Sequence, residues 1–416
     1  MRFLPALGLT AALGMTLAAC GSSSSSSTTS TSSAPSAITI GTTYAGSGTY
    51  ATSSIPELDG LKFWMTQENK KGGVYVGAYK KRIPVKLVDY NDLSSASTAA
   101  TLYNQLITQD KVNILVADFG SVLTAPAVSL AEAHKVVLFD QTGTGIPFFT
   151  PQNKDIVLCD LPESDIWPDV LAQFLIAKGI KKVAIVYDTN DFDESQAVTL
   201  KSKLQAAGIT PLVYEGVPTT TSSYTTILNS VAAKHPDAVL EFGFQPNDTA
   251  FLQNVQSSGQ HFKMVFTVFP GQLLSLFQSQ VGTAGLKYTY TYGTNLYINY
   301  PKVTEGLNSA QFKSQFSAAY PGQLNALSLA GYNTGLVIQG SLKNAKSLSQ
   351  AAIRAGAQQL SGNLTTVDGK FQLNSEGAQV GELLPVAQLF PSSSGVTLHA
   401  VYPSSQATAK AVYPAP

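Results

Sequence analysis

Charge is scarce in this chain. Only 12% of its 416 residues are Asp, Glu, Lys or Arg, about half the usual share of roughly 25%, so Ser, Thr, Asn and Gln must carry much of the solubility. The 26 basic residues are balanced by 26 acidic ones, which leaves no basic footprint for nucleic acid. Arginine is confined to Arg2, Arg82 and Arg354, and cysteine to Cys20 and Cys159. The histidines, His134, His235, His261 and His399, show no metal-ligand spacing with one another or with Cys159. A nucleophile elbow and a phosphate-binding loop are also missing. Catalysis therefore has no visible apparatus, and no cofactor or metal is implied. The length suffices for two domains, each with its own core.

What is present begins with Arg2 and an apolar stretch, Phe3 to Thr16, broken by Pro5, Gly8 and Gly14 and closed by Leu17-Ala18-Ala19-Cys20-Gly21. It is too short and too broken to span a bilayer well and reads as an export signal. The closing residues resemble the bacterial lipobox. That resemblance implies a signal peptide over 1–19, an acylated Cys20, and attachment to the membrane through the N-terminal lipid alone, outside the cytoplasm. An ordinary cleaved signal with a chance cysteine is the alternative. Residues 20–37 are almost entirely Ser, Thr, Gly, Ala and Pro, a composition that cannot offset ordering entropy. The composition predicts a tether with a reach of about 20–25 Å. With Cys20 lipidated, Cys159 has no disulfide partner, and its apolar neighbours Ile156-Val157-Leu158 mark it as a buried thiol.

From Ile38 onward short β-branched runs alternate with amphipathic stretches, the pattern of parallel βαβ units. Strands are predicted at 37–41, 83–89, 112–116 and 136–139. The helices between them include one opened by the capping signature Ser54-Ile55-Pro56-Glu57 and closed by Gly72-Gly73. The pattern restarts at strand 155–158 and continues through strands 183–187, 211–214, 238–242 and 264–267. Three helical stretches follow, at 309–320, 324–343 and 348–359, and then a strand-and-turn tail. The fold class is α/β with two Rossmann-like parallel-sheet lobes.

The segments Ile38-Thr39-Ile40-Gly41 through Ala45-Gly46-Ser47-Gly48, Asn69-Lys70-Lys71-Gly72-Gly73-Val74, Lys181 to Asp188, Pro236-Asp237-Ala238-Val239 and Ala330-Gly331-Tyr332-Asn333 occur in an order and spacing that is similar to one family over nearly all of the chain. The chain resembles the branched-chain amino acid and amide substrate-binding proteins of ABC importers, with the type I periplasmic-binding fold. The resemblance implies two lobes joined by a three-crossing hinge: residues 38–155 plus 291–360 as the first, 156–290 plus 361–416 as the second. It implies a monomer that closes over one small carboxylate- or amide-bearing ligand, branched-chain amino acid-like or, given the phenylalanines and hydroxyls at the candidate site, an aromatic acid, and delivers it to ABC permease subunits.

Ligands of such sheets lie beyond the C-terminal strand ends. By resemblance, Ser121 and Thr124 belong to a turn that holds a carboxylate, Gln141, Thr142 and Thr144 to a second contact loop, and Phe192 and Phe244 to aromatic positions; Tyr50 is a candidate from the loop after the first strand. Where the family often places an acid for the ligand's ammonium, this chain has Phe269. Asp118, Asp140 and Asp191, near strand ends, are the candidate substitutes; their ordinary roles would be helix caps or solvated loop acids. Two other readings compete. A lipid-anchored sensor would use the same fold to signal to a membrane receptor. A dinucleotide-binding enzyme would use Gly46-Ser47-Gly48-Thr49-Tyr50-Ala51, which fits the G-x-G-x-x-A fingerprint, although Thr42 to Ala45 separate it from the strand and the acid expected about twenty residues on is missing.

Overall fold

Ile38, Ile40 and Gly41 are buried and Thr42 and Thr43 with them, so the first strand has no solvated face and must lie inside a sheet covered on both sides. The structure, a computed structural model, describes residues 33–297 and 302–416. The export signal, Cys20 and most of the tether lie outside the described residues.

The elements in chain order are β1 (Ile38–Tyr44), α1 (Ala51–Lys70), β2 (Val74–Val76), β3 (Lys81–Ile83), β4 (Val85–Asn91), α2 (Ala96–Thr108), β5 (Ile114–Val116), α3 (Gly120–His134), β6 (Leu138–Asp140) and β7 (Ile156–Leu158). Then come α4 (Pro168–Ala177), β8 (Val183–Asp188), α5 (Asp191–Ala206), β9 (Val213–Val217), α6 (Thr225–Ala232), β10 (Ala238–Phe242), α7 (Gln245–Ser258), β11 (Val265–Phe266), α8 (Leu274–Gln280), α9 (Gly282–Leu286) and β12 (Tyr290–Tyr292). The chain ends with α10 (Ser309–Ala319), α11 (Ala326–Asn344), α12 (Gln350–Gln358), β13 (Leu364–Thr365), β14 (Lys370–Phe371), β15 (Val386–Ser392) and β16 (Gly395–Tyr402).

The first lobe is a parallel sheet of order β4-β1-β5-β6-β7. The second repeats this winding as β9-β8-β10-β11-β12, all parallel, and adds the antiparallel hairpin β15–β16 beside β12. In both sheets the strand order reverses between the first and third strands, so each lobe has its switch point beside its first strand.

Three expectations are corrected here. The second lobe does not begin at the 155–158 strand: β7 pairs in parallel with β6 and completes the first sheet. Residues 361–382 also join the first lobe, because Gly377 C=O accepts the Leu158 N–H at 2.9 Å and the Asn333 side-chain amide of α11 donates to Asp368. The Ser54 capping signature is overridden as well. Helix α1 already starts at Ala51, with Tyr50 at the cap position. Ser54 Oγ accepts the Ala45 N–H at 2.8 Å and donates to Asp118, while Glu57 is buried inside the helix. Tertiary partners outcompete a local cap.

Helices α1 and α11 cross with their backbones touching. A Cβ at Gly331 would lie 1.8 Å from Glu57 C=O, and one at Gly60 would lie 2.1 Å from Ser328 C=O. Only glycine permits that approach. The chain passes between lobes three times: between β7 and α4, between β12 and α10, and between β14 and β15. Each crossing contributes a buried polar residue to one cluster, respectively Asp160, Asn295 and Glu382. Asn295 donates to Asp368 at 2.9 Å and to Glu382 at 2.6 Å. Burial, then the neighbouring Asp368 charge, pushes the Asp160 carboxyl well above the usual carboxylate range. Cys159, beside this cluster, is a free and fully buried thiol.

Candidate ligand-binding site

The loops leaving the strand ends at the two switch points face each other. From the first lobe come Tyr50 after β1 and Phe119-Gly120 after β5, joined by Thr142 and Thr144 after β6. From the second come Phe192 after β8, Phe244 after β10 and Phe269 after β11. The rings touch across the seam. Tyr50 lies 5.4 Å from Phe244 centroid to centroid and Phe119 lies 6.0 Å from Phe244 and 6.2 Å from Phe269, while within the second lobe Phe192 lies 5.5 Å from Phe244. Such tilted and edge-on pairs are the favoured aromatic geometry. Between them a cavity of about 10 Å³ is lined by Gly120, Thr142, Thr144, Trp167 and Gln272 besides the phenylalanines. That is about the room one water needs.

No charged side chain lines this cavity. Its polar contributions are neutral, and two are unmatched: Thr144 Oγ1 and Gln272 Nε2 are buried and make no hydrogen bond among the described residues. An unpaired buried polar atom costs about 1–3 kcal/mol, so both are poised for a partner that enters the cavity.

The remaining first-lobe residues hold this face in shape. Gly120 N–H donates to Thr142 Oγ1 at 3.0 Å, and the Thr142 hydroxyl donates to Glu57 at 2.8 Å. Ser121 Oγ accepts the Gly145 N–H at 3.0 Å, pinning the second contact loop to the start of α3. Thr124 donates to Asp118 C=O at 3.0 Å, and Gln141 donates to Ala117 C=O at 2.9 Å. Phe119 supplies no side-chain cap, and Gly120, the first residue of α3, lines the cavity with its N–H taken by Thr142 instead.

Of the three candidate ammonium partners, Asp118 and Asp140 are buried beneath the loops. Asp118 accepts the Phe119 N–H at 2.7 Å and Asp140 the Gly143 N–H at 2.7 Å. Burial pushes both carboxyls up, with Asp92 adding to the effect on Asp118. Asp191 is exposed, as the first residue of α5. None of the three lines the cavity. Below the second-lobe phenylalanines lie four further buried carboxyls: Asp188, Asp193, Glu241 and Asp248, the last accepting the Phe269 N–H at 2.5 Å. Burial raises all four, Asp188 to about 7. Burial, helped by Asp193 and Asp188, pushes the Tyr50 hydroxyl up to about 12, so it stays a neutral donor.

Sequence reasoning missed Gln272, Trp167, Leu161 and Leu327. Gln272 lies three residues beyond Phe269 in the same post-strand loop, which was the available signal; Leu327 arrives from the start of α11 and had none. In the Gly46–Ala51 fingerprint region, the Gly46 N–H is taken by the Asn91 side chain and Asp89 pairs with Lys62 at 2.7 Å. Among the described residues no group of His, Cys, Asp or Glu is arranged to hold a metal ion, and no helix is long and apolar enough to cross a membrane.

Two like-wound sheets meet at their strand ends across a crevice, the place where open α/β sheets bind their ligands. The chain belongs to the periplasmic binding protein family, matching it over residues 37–394. It is 23% identical over 224 residues to a Leu/Ile/Val-binding protein of Citrobacter freundii, a match covering 53% of this chain and 59% of that one. An Escherichia coli Leu/Ile/Val-binding protein is 21% identical over 223 residues, again over 59% of its length. The chain thus spans somewhat over half the length of these relatives. Among solved structures it is similar to the branched-chain amino acid transporter substrate-binding protein of Streptococcus pneumoniae in complex with isoleucine, with TM-score 0.74, 17% identity, and coverage of 88% of this chain and 100% of that one. A solute-binding protein from R. palustris in complex with benzoate matches with TM-score 0.73, 16% identity, and coverage of 91% and 98%. At these identities the likeness establishes the fold, type I periplasmic-binding.

Proposed function

We propose that this chain is an extracytoplasmic solute-binding protein, held to the membrane by lipid on Cys20, that encloses a small apolar carboxylic acid or amide and delivers it as a monomer to the permease subunits of an ABC importer. The observation that carries the reading is the cavity lining: phenylalanines, Thr142, Thr144 and Gln272, with no charged side chain and two unmatched polar atoms. A carboxylate or amide oxygen accepts from Gln272 Nε2 and from the Thr144 hydroxyl, while its apolar body lies among the rings once the lobes part to admit it. The ammonium of an α-amino acid would stand there without a counter-charge, at a cost of several kcal/mol. Benzoate in the R. palustris protein is an acid of this class. Because the ligand touches both lobes, it favours the closed form by its differential affinity for that form.

Thermal unfolding against benzoate, phenylacetamide, leucine and glucose tests the reading. A ligand at 100 times its Kd stabilises by about 2.7 kcal/mol. Benzoate or phenylacetamide is expected to raise the midpoint and leucine to leave it in place; a rise with leucine alone would overturn the ligand class.

A further inference from the structure

The central cavity does not hold most of the free space at the seam. A groove of about 470 Å³ runs outward beside it, between the first turn of α1, the Leu273–Leu276 segment of the second lobe and the loop before α11. Gln272 lines both spaces. Its backbone C=O accepts the Ala326 N–H from the first lobe, which fixes the residue at the seam. Gln272 is 3% exposed, and its Nε2 has no hydrogen-bond partner among the described residues. The groove walls are Ile55, Pro56, Leu274, Leu276 and Leu324, with hydroxyl and amide groups between them and, among the described residues, no charged side chain.

We propose that this groove is the outer half of the binding site and takes the uncharged tail of an elongated carboxylic acid or amide, whose head is held in the central cavity with its oxygen on Gln272 Nε2. The inference rests on the ligand class given above and extends it from a compact ligand to a long one. Three features select this occupant. The groove and the cavity share Gln272, whose buried Nε2 has no acceptor among the described residues. The absence of charge along the walls excludes a second ionic group on the tail. The rings filling the central cavity leave little room there for more than a head group unless the lobes part.

Titration calorimetry on the full chain with benzoate, 3-phenylpropanoate and 5-phenylpentanoate tests it. Burying a methylene favours binding by about fourfold, so affinity should rise along the series in the unmodified protein. Ile55→Trp narrows the groove from α1, and Leu324→Trp narrows it from the opposite loop in case the first variant folds poorly. Either should lose at least about tenfold more affinity for 5-phenylpentanoate than for benzoate. Gln272→Leu should weaken all three acids by about tenfold, the value of a hydrogen bond to a charged acceptor. Equal affinity along the series, or variants that lose short and long acids alike, would overturn the groove while leaving the acid-binding cavity standing. Failure of every acid to bind would instead sink the ligand class and the groove with it.

Discussion

The two lobes share one strand order and present opposite chemistry at the seam. On the first, hydroxyls and N–H groups converge, all but the Thr144 hydroxyl locked by a neighbour: Gly120 to Thr142, Thr142 to Glu57, Gly145 to Ser121, Gly143 to Asp140. On the second, Phe192, Phe244 and Phe269 cover a floor of buried carboxyls. The same topology thus yields a preorganised polar face that fixes a ligand's head and an apolar lid that closes over it. Strand order places the loops, and the residues two or three positions past each strand end decide what they do.

Replacing the lid should have the largest effect. Phe244 packs on Tyr50, Phe119, Phe192 and Phe269 and is 3% exposed. Phe244→Ala should cost about 3 kcal/mol in denaturant unfolding and remove ligand binding; an unchanged midpoint would mean that the rings are not packed across the seam. On the polar face the two threonines should separate. Thr142→Val strands the Gly120 N–H and the Glu57 carboxyl, at a cost of about 2 kcal/mol of stability. Thr144→Val removes a hydroxyl without a protein partner, so stability should hold while affinity falls about tenfold. Equal behaviour of the pair would erase the distinction between locked and waiting groups.

The smallest effect comes from single acids of the second-lobe floor. Folding raises the pKa of these carboxyls, so below about pH 4, where the unfolded chain is protonated too, their contribution is fully present. It is lost as pH rises through the folded values, about 7 for Asp188. The melting midpoint should therefore fall between pH 5 and pH 8, and Asp188→Asn should make that fall shallower. A midpoint that climbs over this range would contradict the protonated floor.

Much of this arrangement is legible in the amino-acid sequence. The loops after the strands, with Tyr50, Thr142, Thr144, Phe192, Phe244 and Phe269, follow from the βαβ pattern and the rule that ligands lie beyond C-terminal strand ends. Other features are hidden there for physical reasons. Ile156-Val157-Leu158 reads as a strand, but three apolar residues carry no label saying which sheet they join; the pairing with β6 is nonlocal. Ser54 and Glu57 carry a sound local capping signature, yet their partners are Ala45, Asp118 and Thr142. Phe269 is visible as the place of a missing acid. Gln272, one helical turn later, is not visible as a donor, because nothing local shows that its amide ends between two spaces.

The most direct measurement is titration calorimetry of leucine against 4-methylpentanoate, which is leucine without its ammonium group. A cavity lined only by neutral donors and rings should bind 4-methylpentanoate at least about tenfold more tightly, since an unpaired buried charge costs more than one hydrogen bond. Tighter binding of leucine would show that a carboxylate reaches the ligand after all, and the clamp would then be one for amino acids.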